Sequence, residues 1–298
     1  MFHFEPDPVP SLLRRPWLVG CGAMGGALLS RWIESGLPAA SVTVVDPVPR
    51  GLPAGFAGPV ADDPGQAMAM SGPPTIVVLG IKPQMLGQAG PAIATAAGDA
   101  PILSMLAGVR IATLKSAFPA AAVVRMMPNT PARIGRGMTA LYADGAGAGV
   151  RAAVEWMAEA AGRWLWLEDE DQFDAVTGLS GSGPAYLFRF IEALADAGEA
   201  VGLPEGIAKS LALQTVAGAA ELAARSDLSP AKLRDQVTSP NGTTAAGLQR
   251  LDGDGLLSSL MRSTVRAATE RSRQLAAAAD GEQAQAPVAP KPQQGLLL

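Results

Sequence analysis

The chain has 298 residues, 48% of them hydrophobic and 17% charged, with 34 glycines and a formal net charge of −4. This profile fits a globular protein with material for two domains and excludes a disordered or fibrous chain, while the small acidic charge excludes the basic stripe that a nucleic-acid partner requires. A single cysteine, Cys21, and a single histidine, His3, exclude an intramolecular disulfide and a Cys/His metal cluster, so no metal is expected.

Residues 1–10 carry acids and prolines where a targeting peptide would carry a basic start and an apolar run, and residues 1–15 are expected to form a disordered leader that includes His3. No uncharged run approaches the length of a membrane span, so a cytoplasmic location with no membrane partner is expected. An apolar run at 17–19, the turn Gly20-Cys21-Gly22-Ala23-Met24-Gly25 and a helical stretch to about residue 35 predict strand, glycine turn and helix in that order. The runs at 41–45 and 75–81 are continuous and apolar, as in parallel strands buried on both faces. Further strands are predicted at 101–106 and 121–127, separated by Ala-rich helical segments such as 110–118. Two more follow at 137–143 and 164–167 around a helix at 149–161. This alternation predicts an α/β fold, a doubly wound Rossmann domain over residues 16–167.

From 168 to 279 the strand signals stop, and helices at 183–202, 204–225, 230–238, 243–252 and 255–279 predict an all-α second domain. Gly202 ahead of Leu203-Pro204 marks a helix stop and restart, and Ser229-Pro230 an N-cap with proline at the first helical position. The Gln-, Ala- and Pro-rich segment 280–298 is expected to be a disordered tail. On the helix at 183–201, Arg189, Glu192, Asp196 and Glu199 share one narrow stripe and the other positions are nearly all apolar. Such a helix must be covered on most sides, which points to a homodimer or larger homo-oligomer, the alternative being the central helix of a monomeric bundle.

Gly20, Gly22 and Gly25 lie between a predicted strand and a predicted helix, with an acid roughly twenty residues later, the dinucleotide fingerprint. Gly20 permits the tight turn, Gly22 lets the backbone approach a pyrophosphate and Gly25 allows close packing, while the helix that opens at Ala23 and Met24 supplies amide donors and a favourable dipole. Asp46 ends the second strand, where a carboxylate accepts hydrogen bonds from an adenosine ribose and repels a 2′-phosphate, which favours NADH over NADPH. Arg50 points the other way, toward a 2′-phosphate, and the glycine after it implies a flexible loop; Asp46 as a plain turn residue before Pro47 is the bland alternative. Lys82 follows the third strand at the carboxyl edge of the sheet, where it would reach a phosphate or ribose hydroxyl unless it is only a solvated lysine opening a helix. The segment 239–244 offers successive amides and hydroxyls at a helix N-terminus, suited to a carboxylate. Taken alone, it reads more readily as an ordinary Ser-Pro turn with a Thr cap.

Three motifs are more particular: Arg125-Met126-Met127-Pro128-Asn129-Thr130-Pro131, Gly178-Leu179-Ser180-Gly181-Ser182-Gly183-Pro184-Ala185-Tyr186, and Val237-Thr238-Ser239-Pro240-Asn241-Gly242-Thr243-Thr244. In order and spacing they resemble the pyrroline-5-carboxylate reductase family, and the resemblance covers about residues 17 to 278. It implies a Rossmann domain joined to a helical dimerisation domain, with helices of two subunits interleaved and active sites near their junction. It also implies reduction of a cyclic imino acid at its ring C=N to L-proline, the last step of proline biosynthesis. By position, Ser239, Gly242, Thr243 and Thr244 match the loop that holds the substrate's carboxylate and ring nitrogen, with Thr244 and Ser239 as the catalytic candidates; Ala107 and Asn129 match the lining beside the nicotinamide. Asn241 stands where the family usually has glycine, and asparagine tolerates a left-handed backbone better than most residues. Asp46 stands where many members have a residue suited to NADPH.

The chemistry agrees with the residue inventory. Reducing a ketone leaves an alkoxide that needs a proton donor, commonly His or Lys. Hydride addition to an iminium neutralises an existing cation, so a hydroxyl on nitrogen and good positioning suffice, and a folded body without histidine is consistent with that. A β-hydroxy-acid dehydrogenase would need a lysine in the helix at 183–201, which has none, and a non-enzymatic dinucleotide sensor would not need the loop at 239–244.

Overall fold

The computed structural model describes residues 8–284, with side chains to 277; His3 and the rest of segment 1–7, and tail residues 285–298, lie outside the described residues. The chain divides into two compact units, one of residues before 178 joined by the last helix from Glu270, the other spanning Gly178–Thr269.

The first unit contains strands β1 (Pro16–Val19), β2 (Thr43–Val45), β3 (Val60–Ala61), β4 (Ile76–Leu79), β5 (Ile102–Ser104), β6 (Val123–Met127), β7 (Gly137–Ala143) and β8 (Gly162–Trp166). Its helices are α1 (Ala23–Glu34), α2 (Pro64–Ser71), α3 (Leu86–Ala97), α4 (Ile111–Ala117), α5 (Ala148–Glu159) and the short α6 (Phe173–Val176). The strands form one eight-stranded sheet in the order β3-β2-β1-β4-β5-β6-β7-β8. It is parallel up to β6, β7 runs antiparallel to β6, and β8 is parallel to β7. The chain order reverses at β1/β4, the switch point where ligands bind in open α/β sheets.

The strand runs are apolar at consecutive positions because both faces are covered. Leu18, Val44, Val78, Leu103 and Val124 share one core with Leu28, Leu29 and Trp32 of α1 and Val154 and Met157 of α5. Their neighbours Trp17, Val19, Val45, Val77, Leu79, Ile102 and Val123 point the other way, onto Ala67 of α2, Leu86 and Ile93 of α3, and Leu114 of α4. Period-two alternation thus sends adjacent side chains into separate cores, and the Trp32 indole N–H ties α1 to α5 by donating to the Met157 carbonyl at 2.9 Å.

Three expectations change. Residues 8–15, assigned to the leader, include a 3-10 turn at Ser11–Arg14 whose Leu13 is fully buried. Burying one leucine contributes about 1.5–3 kcal/mol, and Thr75 fastens the segment by donating to the Leu12 carbonyl and accepting from the Arg15 amide. Residues 168–177 stay with the first unit instead of opening the second, because the Glu170 carboxylate bonds Arg125 and the Ile111 amide while the Phe173 ring lies 4.1 Å from the Arg125 guanidinium. The last helix, α11 (Leu256–Ala284), runs past the expected end at 279. Its later part belongs to the first unit: the Ser272 hydroxyl donates to Asp174 at 2.6 Å, and a Cβ on Gly108 would lie 2.9 Å from the Ala276 Cα.

The second unit holds α7 (Gly183–Ala200), α8 (Glu205–Arg225), α9 (Pro230–Gln236), α10 (Thr243–Asp252) and the first part of α11. Gly202 turns the chain with φ +100° between α7 and α8, and the two helices meet through small residues, Gly198 lying against Ala208. Ser229 caps α9 by accepting from the Lys232 amide. Within one chain α7 buries only Ala195, and Leu187, Phe188, Phe190 and Leu194 are left exposed, as are Leu211, Leu213 and Leu222 of α8. The expected charged stripe is present, with Arg189 reaching Glu192 and Asp196.

Candidate active site

β1 ends in a turn that three glycines shape differently. Gly20 has φ +93°, and a Cβ there would sit 2.6 Å from the Gly80 carbonyl carbon, so both the conformation and the space exclude a side chain. Gly25 would bring a Cβ 2.5 Å from the Gly20 oxygen. Gly22, the N-cap of α1, is the opposite case: a Cβ there would meet nothing within 4 Å. No side chain caps the amides that open α1 at Ala23 and Met24, and the positive end of the helix dipole lies behind them. This is the geometry that receives a phosphate, and the residues fit the pyrophosphate of a dinucleotide.

Asp46 leaves β2 beside this turn. One of its carboxylate oxygens accepts from the Cys21 amide at 2.7 Å and the other from the Val48 amide at 2.8 Å, so it both caps the chain reversal before Pro47 and holds the glycine turn to β2. Each oxygen retains a further acceptor position for a ribose hydroxyl. The segment after it is not the flexible loop that Gly51 implied. Gly51 donates to the Cys21 carbonyl at 2.8 Å, and a Cβ on either Gly26 or Gly51 would collide with the opposite backbone. The two glycines therefore lock the chain around exposed Arg50 against the first turn of α1. Cys21 is buried here, its thiol pushed up to about 11 by burial and by the Asp46 charge; it stays protonated at neutral pH and packs instead of reacting.

The remaining cofactor candidates follow the neighbouring strand ends. Gly80 donates to the Val19 carbonyl and Met105 to Leu79, which aligns the ends of β1, β4 and β5. Lys82 is exposed beyond β4, Ala107 is exposed beyond β5, and Asn129 lies just beyond β6 with its side-chain oxygen accepting from the Met138 amide at 2.9 Å. The five segments thus leave the carboxyl edges of five adjacent parallel strands.

Sequence reasoning assigned no role to Glu170. Its Oε1 accepts from the Ile111 amide at 2.7 Å and from the Arg125 guanidinium at 2.8 Å, and its other oxygen lies 3.7 Å from Arg110. Arg125 is only 5% exposed; burial lowers its pKa and the bond to Glu170 opposes that fall. Glu170 comes from an acidic run, Glu168-Asp169-Glu170-Asp171, and its partners are 45 and 59 residues away, so no local pattern marks it. Gly26 was legible in principle: a second glycine beside Gly25 inside a helix is unfavourable unless something packs there.

In the second unit, Gly242 donates to the Ser239 carbonyl at 3.1 Å, closing a turn with Pro240 and Asn241 at its centre. Asn241 has φ +59°, the one non-glycine in the left-handed region among the described residues, as a type II turn with proline at its second position requires. Gly242 is the N-cap of α10 with no side-chain cap, and a Cβ on it would run into the Ser239 hydroxyl. Ser239, Thr243 and Thr244 are exposed, and among the described residues their hydroxyls have no hydrogen-bond partner. The nearby Thr238 hydroxyl instead bonds back to the Arg234 carbonyl. The turn and helix start present three hydroxyls and a row of amides in one place.

Comparison with known proteins gives a consistent picture. The family profile for pyrroline-5-carboxylate reductase dimerisation matches residues 170–275. Among curated relatives, the pyrroline-5-carboxylate reductase of Pseudomonas aeruginosa is 40% identical over 87% of this chain and 95% of that protein, and that of Synechocystis is 39% identical over 87% and 97%. Among solved structures, a pyrroline-5-carboxylate reductase from Coxiella burnetii aligns with a TM-score of 0.81 at 29% identity, covering 88% of this chain and 98% of that one. The Plasmodium falciparum pyrroline carboxylate reductase with NADP bound aligns with a TM-score of 0.75 at 26% identity over 88% and 98%. With relatives at this identity over nearly their whole length, the chain belongs to the pyrroline-5-carboxylate reductase family.

Proposed function

We propose that the chain reduces the ring C=N of 1-pyrroline-5-carboxylate to L-proline with a reduced nicotinamide dinucleotide. The observation that carries the reading is the start of α10, where Ser239, Thr243 and Thr244 hold unpartnered hydroxyls around an uncapped helix N-terminus. The amides and helix dipole suit the substrate carboxylate, and a hydroxyl, Thr244 or Ser239, orients the ring nitrogen. Gly22, Ala23 and Met24 receive the pyrophosphate, Asp46 and Lys82 the ribose and phosphate groups, and Ala107 and Asn129 the nicotinamide, which supplies a hydride when bound. Hydride addition to the protonated imine leaves a neutral amine, so the chain's task is to bind and align, and no histidine is needed. A steady-state assay of pyrroline-5-carboxylate reduction, with NADH and NADPH side by side, tests the reading; absence of turnover with both cofactors rejects it.

The lean to NADH rests on Asp46 beside the ribose position. Asp46→Ser removes a carboxylate that repels a 2′-phosphate, and is expected to shift the preference toward NADPH by about 1–3 kcal/mol. The ratio of kcat/KM values for the two cofactors reads this directly, and an unchanged ratio means that Asp46 serves only the two amides it bonds within the turn.

Homodimerisation or a larger homo-oligomer is the assembly we infer, because the exposed apolar side chains of α7 and α8 require a cover that the chain's own residues leave incomplete. Leu194→Glu puts a charge among them and is expected to reduce both association and activity. Sedimentation of the wild type as a fully active monomer at micromolar concentration would sink the inference. Among the described residues no helix is long and apolar enough to cross a membrane.

A further inference from the structure

The two segments assigned above to the nicotinamide both lead back to one carboxylate. The segment carrying Ala107 runs from the end of β5 to the first residue of α4. It is held at the strand end by the Met105 amide on the Leu79 carbonyl. At the helix end Arg110, the N-cap residue, supplies no side-chain cap. Glu170 takes that place from 59 residues away by accepting from the Ile111 amide. The segment carrying Asn129 continues β6, and on that strand Arg125 donates to the same Glu170 oxygen at 2.8 Å while Phe173 covers the guanidinium. A buried cation of this kind is fixed in place, because leaving its partner exposes it to an uncompensated burial cost.

We infer that Glu170 is a positioning residue for hydride transfer: with one oxygen it sets the α4 end of the Ala107 segment and the strand that carries Asn129, and through them the place of the nicotinamide. The inference rests on the assignment of Ala107 and Asn129 under the proposed function. Groups one shell away from a reacting centre commonly change rates by about 10- to 100-fold when removed, and a small displacement of a hydride donor is enough to do so.

The test compares Glu170→Asp with Glu170→Gln. The aspartate keeps the charge beside Arg125 but, one methylene shorter, cannot serve Arg125 and the Ile111 amide together; the glutamine retains an oxygen able to accept both bonds, and the countercharge it takes from buried Arg125 lowers the melting temperature without moving either segment. The readouts are kcat and the ratio of dissociation constants for ADP-ribose, which lacks the nicotinamide, and NADH. E170D is expected to lower kcat about tenfold or more and to lower the ratio about as much, with ADP-ribose affinity kept, while E170Q stays within about threefold of wild type in both readouts. Wild-type values of both readouts in E170D would overturn the inference, as would an ADP-ribose affinity that falls in step with NADH, since that marks general damage. If E170D does not fold, Phe173→Leu takes its place, with a fall in the ratio of about threefold expected from loss of the ring on Arg125 and no fall overturning the inference. Should the wild type turn over no pyrroline-5-carboxylate, the proposed reaction fails, but the binding ratio still decides the role of Glu170.

Discussion

Replacing Gly26 with alanine is expected to lower the melting temperature by roughly 6–12 °C and to remove measurable cofactor binding. By helix propensity alone the change should stabilise α1 by about 1 kcal/mol, since glycine is among the poorest residues for a helix interior. The neighbouring backbone reverses the sign. The new methyl group would lie 2.5 Å from the Gly51 carbonyl carbon and inside its oxygen. That carbonyl cannot step aside cheaply, because Gly51 is itself bonded to Cys21 and packed on Gly22. Overpacking against backbone costs about 3 kcal/mol or more, which outweighs the propensity gain, and relief requires the 46–51 segment to leave the cradle. Gly22→Ala separates the two roles, because its methyl group meets nothing within 4 Å. It should leave the melting temperature unchanged or slightly raised and still weaken cofactor binding by about tenfold or more, through obstruction of the pyrophosphate's approach. Thermal denaturation alongside cofactor titration checks both variants; a Gly26→Ala protein that melts and binds as wild type would show that the contact is not locked.

Thr244→Val is expected to lower kcat/KM for pyrroline-5-carboxylate by roughly 10- to 200-fold, corresponding to about 1.5–3 kcal/mol for a hydrogen bond with one charged partner. Valine keeps the volume and β-branching of threonine, and their helix propensities are similar. The lost hydroxyl has no partner among the described residues, so its removal breaks nothing in the fold. The dissociation constant of the reduced cofactor should therefore stay near the wild-type value. Unaltered turnover would take Thr244 out of the substrate's reach, whereas loss of cofactor affinity equal to the loss of rate would mean that it shapes the chain instead of the reaction.

Where a function or an element depends on neighbours in sequence, it was legible without coordinates. The strands at 17–19 and 76–79 carry continuous apolar runs because both faces of the sheet are covered, and that requirement is written at consecutive positions. The glycine turn before α1, the proline at the start of α9 and the left-handed conformation of Asn241 are likewise local consequences of backbone sterics. α3 forms although Gly87, Gly90 and Pro91 argue against a helix, because burial of Leu86, Ile93 and Ala97 overrides them. The antiparallel β7 was equally hidden, since a run of apolar residues has no direction.

The sequence alone therefore determined the change from alternating strands and helices to helices only, the dinucleotide turn and the motif that opens α10, each encoded within a few residues. Tertiary structure decided how distant parts bear on one another. It made Gly51 a contact of α1 instead of a hinge, drew Leu13 into the core, and gave Asp46 two backbone amides to hold. It also kept Glu168–Thr177 with the sheet by joining Glu170 to Arg125 and Ile111. Apart from the Asp46 bond to the Val48 amide, two residues away, these join segments 25 or more residues apart. Local propensity carries no information about them, because a steric collision or a buried charge acquires its cost only when the chain has brought the two groups together.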